Sequence, residues 1–269
     1  MTVLKVDPKE RFTKTAELYH KHRPTYPSKA IKWILKICEV KTPATVVDVG
    51  CGTGISTRLF VREGFRVIGV DPNEDMLAHA CQAGGAEYRC GDSSNTGLPE
   101  GCANLIVVAQ AFHWFDIRST FREFKRILKP QGWCAAFWNV RSRRPGPKNV
   151  LSRHSPILIG SRSPLMDEYE KLLETYSVEY KSVEKFPQTI QKIKRSSQVT
   201  SFKQAEFDHR QEMDWPSLLG RVHSSSYVVH GISDQKGFDR ALWKLFDRYH
   251  KNGFVEFIYR TMVSVWQLK

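Results

Sequence analysis

The sequence predicts an α/β fold with a seven-stranded, mostly parallel sheet, an antiparallel last strand and an inserted helical cap. Three observations carry that expectation. Short, near-continuous apolar runs alternate with helical patterns through the first half, as in βαβ units whose strands are buried on both faces. A glycine-rich turn, Gly50-Cys51-Gly52-Thr53-Gly54, stands where the first strand hands over to a helix. The final apolar run, residues 254–267, alternates with the period of two expected of a long strand.

The elements follow in order. Ahead of the first strand, residues 9–20 and 29–39 read as two helices. Residues 45–49 (TVVDV), 66–70 (RVIGV), 86–90, 105–109 (LIVVA) and 133–138 are apolar runs bounded by Gly, Asp or Pro, and each is expected to be a strand. Helices are expected between them at 55–63, 74–83 and 116–128. In the last of these, Ile117, Phe121, Phe124 and Leu128 recur at i, i+4, i+7 and i+11 and share one face. Lys129-Pro130-Gln131-Gly132 then supplies a stop.

Composition shifts between Val140 and Met166, a basic stretch rich in Ser, Pro and Gly without one acidic residue, which predicts an irregular segment. Ser163-Pro164 opens a helix with Asp167 and Glu168 in its first turn and Leu165, Tyr169, Leu172 and Tyr176 on its buried face, forming a cap over the sheet. Residues 202–213 read as a strand, 214–223 and 234–249 as helices, and 254–267 as the last strand. In that strand Val255, Phe257, Tyr259, Thr261, Val263 and Val265 share a face. Two late strands in a hairpin-like relation close the sheet antiparallel.

With 269 residues and 41% apolar composition the chain can bury a full core, which excludes disordered and fibrous classes. The charged first residues, Lys5, Asp7, Lys9, Glu10 and Arg11, leave no apolar core for a signal peptide, and the most apolar stretch, residues 105–115, is too short to span a bilayer. A cytoplasmic protein with no membrane partner is expected. The six cysteines form no Cys-x-x-Cys pair and have no His at zinc spacing, so they read as free thiols and no metal is expected. Lys and Arg number 41 against 28 Asp and Glu, a net +13 that favours anionic partners or serves solubility alone.

Three motifs fall at the carboxyl ends of consecutive strands, where open α/β sheets bind ligands. The first is Asp48-Val49-Gly50-Cys51-Gly52-Thr53-Gly54; its third-glycine position in the dinucleotide fingerprint is Ile55, which disfavours NAD. The second is Asp71, 21 residues after Gly50, a carboxylate placed to accept both hydroxyls of a ribose or to cap the helix that follows. The third is Gly91-Asp92-Ser93.

Taken together, VVDVGCGTG, VIGVDPNEDML, CGDSSNTGLPEG, NLIVVAQAFHWFD and RILKPQGWCAAFWN resemble the ordered motifs of class I S-adenosylmethionine-dependent methyltransferases over residues 19–139. The Tyr19-x-x-x-Arg23-Pro24-x-Tyr26-Pro27 segment and AQAFHWFD are most similar to the trans-aconitate methyltransferase (methyltransferase type 11) small-molecule enzymes. The resemblance implies a Rossmann-like sheet and a single domain: N-terminal helices at 1–40, a cofactor-binding core at 41–140, a basic cap at 141–200 and a C-terminal completion of the sheet at 201–269. It implies that Gly50 and Gly52 hold the methionine part of S-adenosyl-L-methionine, Asp71 the ribose, and Met76 the adenine face. Asp92 with the Ser93 N–H would read the adenine edge, Asp48 would help hold the ammonium, Gln110 would lie beside the sulfonium, and Tyr19 and Arg23 would close over the cofactor carboxylate.

Methyl transfer from a sulfonium is an in-line displacement, so alignment in a dry cleft matters most, and a base is needed only if the acceptor is protonated. His113, just past the fourth strand, is the candidate base or substrate hydrogen-bond partner; it can equally order its loop. Trp114 stands beside it. Arg141, Arg143 and Arg144 follow the fifth strand, and Arg221, His223, Ser225 and Tyr227 lie in a later polar loop; any two can clamp an acidic small molecule. A carboxylate acceptor, already ionised, is therefore favoured. A nucleic-acid acceptor is disfavoured because no Asn-Pro-Pro-Tyr or Asp-Pro-Pro-Tyr follows the fourth strand and no Pro-Cys pair occurs. A non-catalytic cofactor-binding protein is the remaining alternative.

Overall fold

A computed structural model describes residues 16–142, 163–180 and 186–269. Helices α1 (Ala16–His22) and α2 (Ser28–Ile37) precede β1 (Thr45–Val49), α3 (Thr57–Arg62), β2 (Arg66–Asp71), α4 (Glu74–Ala83), β3 (Glu87–Cys90) and β4 (Ala103–Ala109). A short 3-10 turn at Phe112–Trp114 leads to α5 (Ile117–Ile127) and β5 (Leu128–Arg141). The second half holds α6 (Pro164–Tyr176), α7 (Phe186–Arg195), β6 (Val199–Met213), α8 (Trp215–His223), α9 (Ser226–Val229), α10 (Gln235–Tyr249) and β7 (Val255–Leu268).

The seven strands form one sheet in the order β3-β2-β1-β4-β5-β7-β6. The first five pair in parallel. Strand β7 runs antiparallel to both β5 and β6, so β6 points the same way as β1–β5. This is the mostly parallel sheet read from the sequence, with β7 as its antiparallel member. Because side chains alternate across a strand, β1 sends Val47 and Val49 into one apolar layer and Val46 into the other, and β4 divides Ile106 and Val108 from Leu105 and Val107 in the same way. Strand β3 is half exposed, against the expectation of burial on both faces, because it is an edge strand with no further neighbour.

On α5, Phe121, Phe124 and Ile127 are buried, while Ile117 and Leu128 lie at the margin of the layer. The turn expected at 129–132 falls inside β5: Leu128 pairs with Ala103 and Trp133 with Leu105, so the intervening residues bulge out, with Gln131 at φ 64°.

Helices α6, α8, α9 and α10 surround a second core that forms the cap, and Ser163 caps α6 by accepting the Met166 N–H at 3.4 Å. The buried face of α6 is Leu165, Met166, Tyr169, Glu170 and Leu173; Leu172 and Tyr176 are only partly covered, because the helix turns a face centred on Met166, Tyr169 and Leu173 to the core, rotated from the stripe read in the sequence. The β7 face read from the sequence is buried along its whole length, and it joins two cores: Val255, Phe257 and Tyr259 enter the cap, Val263 and Val265 the sheet. Helix α7, within the stretch read as cap, packs Ile190 and Ile193 on the α5 side of the sheet. Among the described residues no helix is long and apolar enough to cross a membrane.

Candidate functional site

The loops at the carboxyl ends of β1, β2, β3 and β4 converge on a cleft of about 290 Å³ whose lining includes Asp71, Met76, Asp92, Ser93, Gln110 and Trp114. The glycine loop forms its floor. Gly50 and Gly52 have φ of 72° and 54°, in the left-handed region that glycine tolerates. At Gly50 an added Cβ would stand 2.6 Å from the Ala111 Cβ, so only glycine lets this loop meet the one after β4. A Cβ on Gly52 would meet nothing within 4 Å.

Asp71 ties the loops together: Oδ2 accepts the Gly52 N–H at 2.8 Å and Oδ1 the Asn73 N–H at 2.9 Å. Each carboxylate oxygen has a second lone pair, which leaves capacity for two hydroxyl donors from the cleft. Burial raises the pKa of this group, and the two backbone N–H bonds oppose the rise. Asn73 caps α4 through the Met76 N–H at 3.0 Å, which sets Met76 against the cleft. Asp92 Oδ1 accepts from the Ser94 and Asn95 N–H groups, fixing the loop after β3, and the Ser93 Oγ accepts from the Thr120 hydroxyl at 3.1 Å.

Asp48 is placed differently from these. Its Oδ2 accepts from the Ser56 and Thr57 hydroxyls, both at 2.7 Å, its Oδ1 is buried with no partner, and it lines neither the cleft nor the smaller cavity beside it. Burial pushes its pKa from 3.8 up to about 6 despite the two hydroxyl donors.

Helix α1 straps the site. Tyr19 lines the cleft, and the Arg23 guanidinium lies 4.6 Å over its ring. Arg23 donates from Nη2 to the Ser224 carbonyl at 2.9 Å, whereas its Nε is buried with no partner. A second cavity of about 30 Å³ shares Tyr19, Gly50, Gly52 and Gln110 with the cleft and adds Arg23. Gln110 sits at φ 62°, with its N–H on the Phe137 carbonyl at 2.9 Å and its amide on the Asn139 carbonyl at 3.3 Å.

His113 is outside the cleft lining. Its Nδ1 accepts the Trp138 indole N–H at 3.4 Å and its ring packs on Trp114, 4.8 Å between centroids. Arg141 and Tyr227 meet directly, and Arg221 joins them in a buried cluster between sheet and cap. Arg141 donates to Glu170 Oε1 from Nε, to the Tyr227 hydroxyl from Nη1 and to the Tyr180 hydroxyl from Nη2, all at 2.7 Å. Tyr180 also donates to Glu170 Oε2. Arg221, 5% exposed, donates to the Tyr259 hydroxyl at 3.2 Å and the Ser225 hydroxyl at 3.0 Å. The neighbouring Arg221 adds to burial in lowering the pKa of Arg23, and Arg141 and Arg221 together hold Tyr227 below the ordinary tyrosine range against its burial. His223 lies against Asp239 at 2.7 Å. Arg143 and Arg144 are outside the described residues.

Sequence reasoning did not find Glu170, Tyr180 or Tyr259. Glu170 had one available signal: it adjoins Tyr169 on the buried side of α6, where a carboxylate needs a cationic partner. Tyr180 lies in an irregular turn and carried none.

Residues 47–136 match a family described as a methyltransferase domain. An uncharacterised methyltransferase of Mycobacterium tuberculosis is 33% identical over 147 residues, 54% of this chain and 59% of that protein. The match thus spans under two thirds of the relative's length. Among solved structures, a protein assigned as a type II methyltransferase from Anaeromyxobacter dehalogenans superposes with a TM-score of 0.56 at 21% identity, covering 91% of this chain and 96% of that one. Phosphoethanolamine N-methyltransferase 2 of Haemonchus contortus, solved with S-adenosyl-L-methionine, gives a TM-score of 0.50 at 15% identity and covers 98% of this chain and 59% of that one. Residues 47–136 are thus similar to a methyltransferase domain, and the chain shares the Rossmann-like fold of these solved structures.

Proposed function

We propose that this domain binds S-adenosyl-L-methionine and that the chain transfers its methyl group to a small anionic acceptor, with a carboxylate oxygen as nucleophile. The observation that carries the acceptor reading is the buried grouping of Arg23, Arg141 and Arg221, in which, among the described residues, only Arg141 is paired with a carboxylate, Glu170, while Arg23 and Arg221 bond a carbonyl and hydroxyls. Buried cations without counter-ions are costly, so a site of this composition favours an anion.

The cofactor fits the residues present. Two lone pairs of Asp71 remain for a ribose, the Gly52 position is open, and Arg23, whose buried Nε has no partner, lines the small cavity where a carboxylate would meet its guanidinium. Met76, Asp92 and Ser93 line the cleft, where Met76 would pack against the adenine face and Asp92 and Ser93 would border its edge. When bound, the cofactor supplies an electrophilic methyl group: a C–O bond forms, the C–S bond breaks and its electron pair stays on sulfur.

The chain aligns and dries the reaction. Tyr19 on α1 and Arg23 just beyond its end cover the methionine end, Arg221 and Tyr227 hold the acceptor anion, and Gln110 and Trp114 confine it beside the cleft. No proton has to move from an ionised carboxylate, so His113 serves as a positioning residue that sets Trp114. The test is to incubate the pure protein with methyl-labelled S-adenosylmethionine and a cytosolic extract, then count label by fraction. Label in small acidic molecules is expected. Label in RNA or DNA reverses the acceptor assignment, and no label in any fraction leaves a cofactor-binding protein without this activity.

A further inference from the structure

Within the carboxylate reading above, on which this inference rests, we infer that Glu170 is the specificity-determining residue that restricts the acceptor to a single carboxylate. Glu170 is 8% exposed and accepts from Arg141 Nε at 2.7 Å through Oε1 and from Tyr180 through Oε2. All three nitrogens of Arg141 are engaged, by Glu170, Tyr227 and Tyr180. The chain's own carboxylate therefore occupies the guanidinium that a second substrate carboxylate would need.

The remaining charges then match one to one. Arg141 is paired with Glu170; Arg23, with its buried and unpartnered Nε beside the cofactor cavity, takes the cofactor carboxylate; Arg221, held only by the Tyr259 and Ser225 hydroxyls, is left for the acceptor. A diacid would bring its second carboxylate toward Glu170, where like charges in a dry site repel, with no uncommitted guanidinium to receive it. One acceptor oxygen stays on Arg221 while the other forms the new C–O bond. The product ester has lost its charge, so Arg221 no longer holds it and the product leaves.

The experiment measures kcat/KM with labelled cofactor for a panel of monocarboxylates and the dicarboxylates of equal carbon count, in the wild-type chain and in Glu170→Gln, which keeps side-chain volume. For the wild type, each monocarboxylate is expected to exceed its dicarboxylate partner by at least tenfold. In Glu170→Gln that ratio is expected to fall at least tenfold, because Arg141 becomes available. A loss of packing alone would lower both substrates together and leave the ratio unchanged, which overturns the assignment. Should the variant not fold, the wild-type ratio and the affinities of the same acids, titrated in the presence of S-adenosylhomocysteine, decide: preference for diacids overturns the inference and leaves the carboxylate reading intact. Label in none of the acids removes that reading and the inference with it.

Discussion

Replacing Asp71 by Ala tests the cofactor site most sharply. The carboxylate already holds the Gly52 and Asn73 N–H groups at 2.8 and 2.9 Å, and its two remaining lone pairs face the cleft. A hydrogen bond to a charged acceptor is worth about 1.5–3 kcal/mol. Two ribose hydroxyls at the lower figure give about 3 kcal/mol, on the order of a hundredfold in affinity; water entering the vacated space offsets part of this, so at least about tenfold should remain. The freed Gly52 N–H also unpins the glycine loop, which adds to the loss. Titration calorimetry with S-adenosylhomocysteine on folded protein measures it. An affinity within threefold of wild type would refute the placement of the ribose on Asp71.

Arg23→Met should weaken S-adenosylhomocysteine at least tenfold by calorimetry while leaving methylthioadenosine, which lacks the carboxylate, within threefold. Gly50→Ala should lower the melting temperature, since its Cβ would stand 2.6 Å from the Ala111 Cβ at a φ of 72°; a variant as stable as wild type contradicts that packing. Asp48 gives a pH signature. Its pKa is raised from 3.8 to about 6 in the folded chain, so the native state binds more protons than the unfolded one between those values. Stability from this group therefore falls as pH rises from about 4 to about 6, by up to about 3 kcal/mol, and stays low above that. Denaturant titrations should show Asp48→Asn gaining on wild type across that window, and parallel curves would contradict the assignment.

The parallel half of the sheet was legible because its inner strands β1, β2 and β4 are buried on both faces and its glycine turn needs the left-handed backbone that glycine tolerates. The lining Asp71, Asp92 and Met76 were legible because they stand at strand ends or one helical turn beyond. Asp48 was expected from the resemblance to help hold the cofactor ammonium, but it is engaged by the Ser56 and Thr57 hydroxyls, and where those turn at the start of α3 is not specified by spacing. The α6 stripe has a sound helical period, but which side of it meets the core is set by the elements it packs against, and Met166 and Leu173 lie nearer that side than Leu172 and Tyr176. Arg141, Arg221 and Tyr227 were read from the sequence as candidates for an anion clamp and the structure brings them together, whereas Glu170 and Tyr180 were not among those candidates, since they reach Arg141 from 29 and 39 residues further along the chain. Long-range partners of this kind leave no local period.

The bond made in the product tests the central claim most directly. The labelled small-molecule product of the wild-type chain should be a methyl ester, releasing its label as methanol under mild base. A base-stable methyl group on nitrogen or carbon, or label retained on a nucleic acid, would contradict the account.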